Sequence, residues 1–427
     1  MEKMIEIPDY ELKAPYYIAG ERWTSMHNFI ADEGNPNKPA SIQLYDVTLR
    51  DGEQTPGVTF RADERYRIAQ ALSDMGVPRI EAGMPCVSAE VRQAIGQMVK
   101  ANLATKIYSF NRAKKEDIDM SLELDVDGVV IEYSVNPYFD KYVYGMTADR
   151  MLETLISTIN YAKEQSPNKP VVFMGWDWFR APLAWTEYII DNLNEYAKLD
   201  GVIIVDTIGS ATPDAVYAMV QHFVNRYPRL GFEFHGHNDI GMGNANSLFA
   251  AYAGAKVIHT AMCGLGERVG NVATEEMATI FKCQKEIETG IDLSKIDATA
   301  QLISDISKVP IYPNKPIIGT RPYLMESGIG TDVEFKLSRT HNLKPNGISV
   351  APWVIGRTEL KDGFQYVLGK NSGGSSIRLF LDKYGIEATR DEVKKITDRV
   401  KQEGLVTKAL VSERVFLSIV NDVKNGK

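Results

Sequence analysis

The feature that most constrains the fold of this chain is a regular alternation of two kinds of segment between residues 41 and about 290. Short runs rich in Val, Ile, Phe or Tyr are typical of β-strands, and most of them end at Gly, Asp, Asn or Pro. Amphipathic stretches with helical periodicity lie between these runs. The eight predicted strands are Ile42–Leu49, Arg79–Met84, Thr105–Phe110, Gly128–Ser134, Pro170–Trp178, Gly201–Ile208, Leu230–His237 and Ala255–Met262.

The stretches between the strands carry the end signals of helices. Thr147 and Thr212 stand at N-cap positions, and Pro213 follows at a first helical position. The predicted helices include Asp63–Met75, Ala89–Ala101, Ala148–Glu164, Trp185–Ala197 and Asp214–Arg226. Eight strand–helix repeats over about 250 residues fit a (β/α)8 barrel. The alternative is a doubly wound open sheet, but its G-x-G-x-x-G fingerprint is absent after the first strand. We therefore predict an α/β fold built on a TIM barrel.

Two further segments flank the predicted barrel of residues 41–290. Residues 1–40 contain five aromatic residues. They predict an N-terminal extension packed on the body, with a free arm as the alternative. Residues 291–427 predict a smaller, mainly helical C-terminal subdomain, with no long regulatory domain behind it. Its predicted helices lie near Lys295–Ser307, Ser375–Lys383, Arg390–Glu403 and Thr407–Val423.

Composition excludes several classes of partner and location. A formal net charge of −8 argues against nucleic acid or an anionic membrane as a partner. No apolar run approaches the roughly 18 residues of a spanning helix, and the first residues resemble no targeting signal. The three cysteines are odd in number and far apart, which is typical of reduced thiols. We expect a cytoplasmic protein.

The candidate metal site begins at the end of the seventh predicted strand. His235 and His237 are two residues apart, so their side chains share one face at the end of the barrel where active sites lie. Two such imidazoles suit a divalent metal, and the alternative is a pair of structural histidines. The first strand ends in a loop with Arg50, Asp51 and Gln54, which by itself also fits a salt-bridged loop. Since strands one and seven are separated only by strand eight, Asp51 could share an ion with the two histidines.

Two more loops at the same end of the barrel offer polar groups. The segment Gly264–Asn271 contains three glycines before Asn271, which predicts a tight loop over the barrel mouth. Thr207 follows the sixth strand, and its hydroxyl suits a substrate carboxylate. An ordinary strand-end turn is the alternative for that segment.

Together these segments resemble the DRE-TIM metallolyases, specifically the Claisen-condensing branch of 2-isopropylmalate, homocitrate and citramalate synthases. The segments that carry the resemblance are Leu49–Gln54, Glu81 in Ile80–Gly83, Phe232–Ala245, Gly266–Asn271 and Leu368–Gly373. The resemblance covers the whole barrel and continues into the C-terminal subdomain.

The resemblance implies an acyltransferase that condenses an acyl-CoA, such as acetyl-CoA, with a 2-oxo acid in amino-acid biosynthesis. Four residues would ligate a divalent metal (Mg²⁺, Mn²⁺, Co²⁺ or Zn²⁺): Asp51, His235, His237 and Asn271. Arg50 would polarise the ketone, and Glu81 would orient Arg50. Gln54 and Thr207 would bind substrate with Arg50. The resemblance also implies a homodimer.

The chain departs from the synthase pattern at its acid–base groups. Trp176 stands where the synthases have a glutamate, Gly330 replaces a histidine, and Gly347 lies near the place of a tyrosine. We expect Asp177, or else Tyr133, to serve as the base. Trp176 would then narrow the acyl pocket, or simply pack at the rim. The departures leave a carbon–carbon lyase or aldolase of the same superfamily as the alternative activity, and a non-catalytic oxo-acid-binding protein as a third possibility.

Overall fold

The computed structural model describes residues 11–337, 343–345, 347–360 and 363–426. Eight parallel strands close into a barrel in chain order, with the eighth strand paired to the first. This confirms the predicted TIM barrel. The strands are β1 (Gln43–Asp46), β2 (Arg79–Glu81), β3 (Lys106–Arg112), β4 (Gly128–Ser134), β5 (Val171–Trp176), β6 (Gly201–Asp206), β7 (Gly231–Gly236) and β8 (Val257–Thr260).

Helices follow the strands around the outside of the barrel, as the amphipathic stretches predicted. The Thr147 hydroxyl accepts the Arg150 N–H at 3.4 Å and caps its helix as expected. The helices are α1 (Ala62–Asp74), α2 (Ala89–Lys100), α3 (Lys115–Glu123), α4 (Ala148–Gln165), α5 (Leu183–Tyr196), α6 (Pro213–Arg226), α7 (Gly243–Tyr252), α8 (Thr274–Thr279) and α9 (Ile296–Ser307). Shorter helical turns lie at Gly52–Gln54, Pro137–Phe139, Asp140–Tyr144, Trp178–Arg180, Met262–Gly264, Ile280–Gln284 and Leu293–Lys295.

The barrel interior is filled by alternate side chains of the strands. An apolar cluster inside it contains Tyr45, Tyr108, Val130, Val172, Met174, Ile203, Val205 and Val257, with Phe110 and Trp176 packed against it. Because side chains of a strand alternate between its faces, residues two apart share a direction. Glu132 therefore points inward with Val130, whereas Tyr133 lies on the opposite face of β4.

The described residues form two compact units, and the larger one is Ala31–Ile311. It includes more than the predicted barrel of residues 41–290. Its first residues are held by Asp32, whose carboxylate accepts from the Tyr252 hydroxyl at 2.8 Å. Lys295, the residue before its last helix α9, contacts the end of α1, where Lys295 Nζ donates to Asp74 O at 2.6 Å. Residues 31–40 and 291–311 thus group with the barrel, in contrast to the boundaries expected from the sequence.

The second unit combines residues up to Ile30 with those from Tyr312 onward, so most of the N-terminal extension that we expected to pack on the body groups with the C-terminal residues. Residues 1–10 of that extension lie outside the described residues. The helices of this unit are α10 (Gly328–Phe335), α11 (Gly374–Lys383), α12 (Arg390–Thr407) and α13 (Glu413–Lys424). Its smaller elements are the strand pairs Tyr17–Ile18 with Arg22–Trp23 and Leu324–Met325 with Gln365–Tyr366, and short helices at His27–Ile30, Arg321–Tyr323 and Pro352–Ile355.

The C-terminal helices pack around a core of their own that includes Ile377, Ile396, Val400 and Phe416. The prediction that the last helix begins at Thr407 was wrong. Lys408 has a left-handed backbone that ends α12, and α13 begins only after Ser412, whose hydroxyl accepts the Val415 N–H. None of the helices in the described part of the chain combines the length and apolar character needed to cross a membrane.

Candidate functional site

Three side chains meet at the C-terminal end of the barrel as the sequence predicted. Asp51 Oδ2 lies 3.4 Å from His235 Nε2 and 3.7 Å from His237 Nε2, and the two imidazole nitrogens are 3.3 Å apart. All three residues are at least 96% buried. They form a group whose ligand atoms lie close enough to share one metal ion.

The backbone after β1 explains how Asp51 reaches this position. The N–H groups of Arg50, Asp51 and Gly52 all donate to Val47 O, which turns the chain sharply. Asp46, the last residue of β1, stabilises the turn, because its carboxylate accepts hydrogen bonds from the Thr48 N–H at 2.9 Å and the Thr274 hydroxyl at 2.8 Å. Burial raises the pKa of Asp46 to about 6, although these hydrogen bonds oppose the shift.

The electrostatics prepare these three groups to bind a cation. Burial lowers the pKa of His237 to about 4 and also lowers that of His235, so both rings are neutral at pH 7. Burial raises the pKa of Asp51, but Arg50 and the two imidazoles outweigh it and hold that pKa well below the ordinary value. A carboxylate with two neutral imidazoles is the protonation state that a divalent metal requires, so the residues present fit such an ion.

A buried chain of hydrogen bonds behind His235 sets the position of its proton. His235 Nδ1 lies 3.3 Å from His259 Nδ1, and His259 Nε2 lies 2.9 Å from Glu233 Oε2. Because Glu233 can only accept, His259 carries its proton on Nε2 and presents a bare Nδ1 to His235. His235 then donates from Nδ1, which leaves its Nε2 lone pair directed at the cation position.

Glu233 stays ionised because Arg79 binds it from the other side. Burial opposes ionisation, but Arg79 and His259 lower the pKa of Glu233 to about 2. The Arg79 guanidinium also lies 4.0 Å above the Tyr45 ring. Sequence reasoning missed this series of hydrogen bonds, because it depends on the register that sets Val257 of β8 beside Glu233 of β7. The one available signal was that Glu233 shares a face with His235 and His237.

Asn271, the expected fourth ligand, adjoins the three residues. Its amide nitrogen donates to Asp51 Oδ1 at 2.9 Å and to Leu265 O at 2.8 Å. Its buried Oδ1 has no hydrogen-bond partner among the described residues. Gly266 makes this approach possible, since a Cβ there would lie 2.3 Å from Asn271 Nδ2. An unsatisfied amide oxygen beside Asp51 is compatible with the predicted ligand role.

Arg50 is held beside Asp51 by several contacts. Its Nε donates to Glu81 Oε2 at 2.5 Å, and its Nη1 donates to Asp51 Oδ2 and to Gln54 Oε1, both at 3.2 Å. Its guanidinium stacks 4.1 Å from the centre of the Phe110 ring. Burial favours the neutral form, but Glu81 and Asp51 outweigh it and raise the pKa of Arg50 above its ordinary value. Its Nη2 is buried without a hydrogen-bond partner in the described chain, which leaves a donor for a substrate oxygen.

A cavity of about 370 Å³ joins these groups. Its lining contains the predicted residues Arg50, Asp51, Gln54, Thr207, His235 and His237, together with Phe110, Glu132, Met174, Trp176, Val205 and Glu267. The Thr207 hydroxyl accepts the Asp177 N–H at 2.7 Å, so its own hydrogen is available to a ligand. Trp176 packs edge-to-face on Phe139, with ring centres 4.5 Å apart, and forms one wall. Both expectations for Trp176, a packing role and a narrowed pocket, fit this position.

The two expected bases do not lie in this cavity. Asp177 is 2% exposed, and its carboxylate binds Arg180 at 2.6 Å and the Asn136 amide at 2.7 Å. The Tyr133 hydroxyl donates to Asp140 at 2.6 Å, and burial together with this bond raises the pKa of Tyr133. Tyr133 is next to the inward-pointing Glu132 on β4 and so lies on the other face of that strand. Asp177 directly follows β5, and its left-handed backbone begins the helical turn Trp178–Arg180.

This fold and this site define a TIM-barrel protein with a candidate metal centre at the C-terminal end of its strands. The chain belongs to the HMGL-like family, whose model matches residues 41–303. The matched region contains all of the residues that meet at the cavity.

Similar proteins of known name are synthases. The chain is 31% identical over 386 residues to homocitrate synthase AksA of Methanothermobacter thermautotrophicus, covering 90% of this chain and 95% of that protein. It is 33% identical over 384 residues to (R)-citramalate synthase CimA of Methanocaldococcus jannaschii, covering 90% and 74%. It is 33% identical over 368 residues to a probable 2-isopropylmalate synthase of Ignicoccus hospitalis, covering 86% and 89%.

Solved structures support the fold. The HMG-CoA lyase of Bacillus subtilis matches with a TM-score of 0.59 at 20% identity, covering 66% of this chain and 98% of that one. The HMG-CoA lyase of Pseudomonas aeruginosa matches with a TM-score of 0.56 at 20% identity, covering 64% and 96%. At this identity the likeness concerns the barrel and carries no statement about activity.

Proposed function

We propose that this chain catalyses the metal-dependent Claisen condensation of an acyl-CoA with a 2-oxo acid. One arrangement carries the proposal. Arg50 contacts both Glu81 and Asp51. Asp51 in turn lies against His235 and His237 at the same cavity. The names of the relatives support it, since homocitrate, citramalate and isopropylmalate synthases are condensing enzymes of the acyltransferase type.

Asp51, His235 and His237 would hold the ion, with Asn271 proposed as a fourth ligand. The mixture of a carboxylate, two imidazoles and an amide suits Mg²⁺, Mn²⁺, Co²⁺ or Zn²⁺. When bound, the ion supplies Lewis-acid polarisation of the oxo-acid carbonyl.

Arg50 contributes a fixed positive charge to the reaction. Its free Nη2 donates to the ketone oxygen and stabilises the negative charge that develops there as the new carbon–carbon bond forms. Glu81 keeps the guanidinium in place, so little reorganisation is needed when that charge appears. Arg50 therefore acts as an electrostatic catalyst and Glu81 as its positioning residue.

Thr207 and Gln54 would complete substrate binding. The Thr207 hydroxyl donates to the carboxylate of the oxo acid, and Arg268 holds this residue by donating to Thr207 O at 2.5 Å. The Gln54 amide binds substrate beside Arg50. Phe110, Met174 and Val205 give the cavity apolar walls, which exclude water and strengthen these polar contacts.

We also propose a co-substrate, a metabolic role, a location and an oligomeric state for the enzyme. We propose acetyl-CoA as the acyl donor, a role in amino-acid biosynthesis, a cytoplasmic location and a homodimer. The barrel would carry the catalytic residues, and the C-terminal unit would serve as the smaller, mainly helical subdomain. The names of the relatives, which align with 84–90% of this chain, support the first two of these points.

The test is release of free CoA from acetyl-CoA by the purified protein, measured with a thiol reagent. The panel contains pyruvate, 2-oxoisovalerate and 2-oxoglutarate, each with Mg²⁺, Mn²⁺, Co²⁺ or Zn²⁺. Thiol release that requires both an oxo acid and a metal is the expected result. Cleavage of hydroxyacyl-CoA or hydroxy-acid substrates with a silent synthase panel would establish the lyase alternative. Calorimetric binding of metal and oxo acid without either reaction would establish the binding-protein alternative.

A further inference from the structure

The proposed condensation needs a base that the residues discussed so far do not supply. The acyl donor must lose a proton from its α-carbon before it can attack the ketone. Six titratable side chains line the cavity: Arg50, Asp51, Glu132, His235, His237 and Glu267. Asp51 and the two histidines are assigned to the metal, and Arg50 remains charged through its contact with Glu81.

The two remaining groups differ in their surroundings. The side chain of Glu267 is 51% exposed and forms an ion pair with Arg268 at 3.3 Å. Glu132 is partly buried, points into the barrel from β4, and forms no ion pair with another described residue. Trp176 lines the same cavity, and its indole acts on the Glu132 carboxyl as a hydrogen-bond donor, which offsets part of the rise in pKa that burial causes. Among the described residues that line the cavity, Glu132 is thus the acid–base group that is neither in the metal triad nor in an ion pair.

The surroundings of Glu132 suit proton transfer. Burial raises the pKa of its carboxyl, while the charge of Arg50, the hydrogen bond from Trp176 and the charge of Arg112 offset part of the shift. A carboxylate with a raised pKa is a stronger base than an ordinary one. Trp176 lines the cavity beside Glu132, so its indole N–H is the group that we assign to orient this carboxylate.

We propose that Glu132 is the general base of this enzyme and that Trp176 positions it. A Glu132 carboxylate oxygen takes a proton from the α-carbon of the acyl-CoA, and the C–H electron pair becomes the enolate. The enolate carbon bonds to the ketone carbon of the oxo acid, the C=O π pair moves to the ketone oxygen, and that oxygen takes up a proton from solvent. Water then hydrolyses the thioester to a carboxylic acid and free CoA, and Glu132 returns its proton to solvent. No oxidant or reductant is required.

The test compares Glu132→Gln with the wild-type holoenzyme. Glutamine keeps the size and an acceptor for the indole N–H but cannot take a proton. Two quantities are measured: steady-state CoA release with acetyl-CoA and the best oxo acid of the panel, and deuterium uptake into the acetyl methyl group in D₂O with that oxo acid present. Metal content and oxo-acid affinity are measured on the same samples. Glu132→Asp retains the carboxylate at a shorter reach.

A matched control is Asp140→Asn. Asp140 is a buried carboxyl group in the segment that follows β4, lies outside the cavity lining, and would still accept the Tyr133 hydroxyl as an amide. This control removes one carboxyl group from the same region, and we expect it to keep kcat within about 3-fold.

We expect Glu132→Gln to lower kcat and deuterium uptake together by about 10²- to 10⁴-fold, with metal content and KM for the oxo acid unchanged. Glu132→Asp should recover at least about 10-fold of that loss. Trp176→Phe, which lacks the indole N–H, should lower kcat without changing KM. A Glu132→Gln enzyme within about 3-fold of wild type would overturn the proposal, as would a rise in KM for the oxo acid with unchanged deuterium uptake. The inference rests on the proposed function, but a wild-type protein that releases no CoA refutes only that function.

Discussion

The hydrogen-bond chain behind His235 leads to the most specific prediction, a loss of metal affinity in His259→Leu. His259 Nδ1 is the acceptor that keeps the His235 proton on Nδ1, and Glu233 fixes His259 in the required tautomer. With leucine at position 259, His235 loses this partner, and its proton can move to Nε2, the atom that must face the metal. A leucine of similar bulk leaves Asp51 and His237 untouched, so the site keeps all of its ligands.

The size of the effect follows from the role of the lost contact. Replacement of a group that orients a metal-binding imidazole costs about 10- to 100-fold in affinity, or about 1.4 to 2.7 kcal/mol. Isothermal titration calorimetry of metal-depleted protein with Zn²⁺ and Mn²⁺ measures it directly. His222→Gln is the control, since His222 lies on α6 and pairs with Glu187 at 2.8 Å outside the cavity. Equal metal affinity of His259→Leu and wild type would refute the tautomer argument.

Three further predictions concern the groups around this centre. Arg50→Lys should keep its metal content but lower kcat by about 10²- to 10³-fold, because an ammonium group cannot contact Glu81, Asp51 and the substrate together; metal analysis and CoA release test this, and an unchanged kcat would contradict it. Asp46 has a folded pKa of about 6 against 3.8 in the unfolded chain, so the stability that its buried protonated form provides is complete below pH 4 and is lost as the pH rises through 6. Relative to Asp46→Asn, the wild-type free energy of unfolding should therefore fall by about 3 kcal/mol between pH 4 and pH 7, measured by urea titration of metal-free protein; parallel curves for the two proteins would disprove the pKa shift. Trp176→Glu should change the ranking of acyl-CoA and oxo-acid substrates by kcat/KM, whereas identical kinetics on every accepted substrate would leave Trp176 a packing residue alone.

Much of the fold and the centre of the site could be predicted from the sequence. Eight apolar runs separated by amphipathic stretches leave few alternatives to a parallel barrel, and that barrel then brings strands one and seven near each other. Asp51, His235 and His237 follow from this geometry, because residues at strand ends project into a common mouth. Arg50 precedes Asp51 in the sequence, and the resemblance implied that Glu81 orients it; in the structure Arg50 Nε donates to Glu81 Oε2 at 2.5 Å.

The expected bases, Asp177 and Tyr133, show which part of the site the sequence leaves open. Barrel strands are covered on both sides, so β4 is almost continuously apolar and its pattern does not reveal which side chains point inward. A shift of one residue reverses the direction of a strand side chain, so the sequence does not distinguish Tyr133 from its inward-pointing neighbour Glu132. Asp177 lies just beyond the end of β5, and a strand end is equally hard to place from an apolar run. The structure resolves the ambiguity through the register of β4 and β5, which pairs Glu132 with Met174.

Two other features depend on contacts that are remote in sequence. The link from His235 through His259 to Glu233 requires β8 to lie beside β7 in a specific register. The grouping of residues 31–40 and 291–311 with the barrel depends on individual polar contacts, such as that of Asp32 with Tyr252, rather than on a change in composition. The prediction of helix ends had a similar limit. The chain turns at Lys408 with a left-handed backbone, and no glycine marks that position in the sequence.

The most direct test of the central claim is CoA release by metal-depleted protein before and after metal is restored, in wild type and in His235→Ala. We expect the wild-type protein to be silent without metal and active when a divalent ion and a 2-oxo acid are both present. His235→Ala should remain folded by circular dichroism, bind little metal and release no CoA under any of these conditions. Full CoA release by metal-free wild-type protein, or by His235→Ala without bound metal, would contradict the proposed metal-dependent condensation.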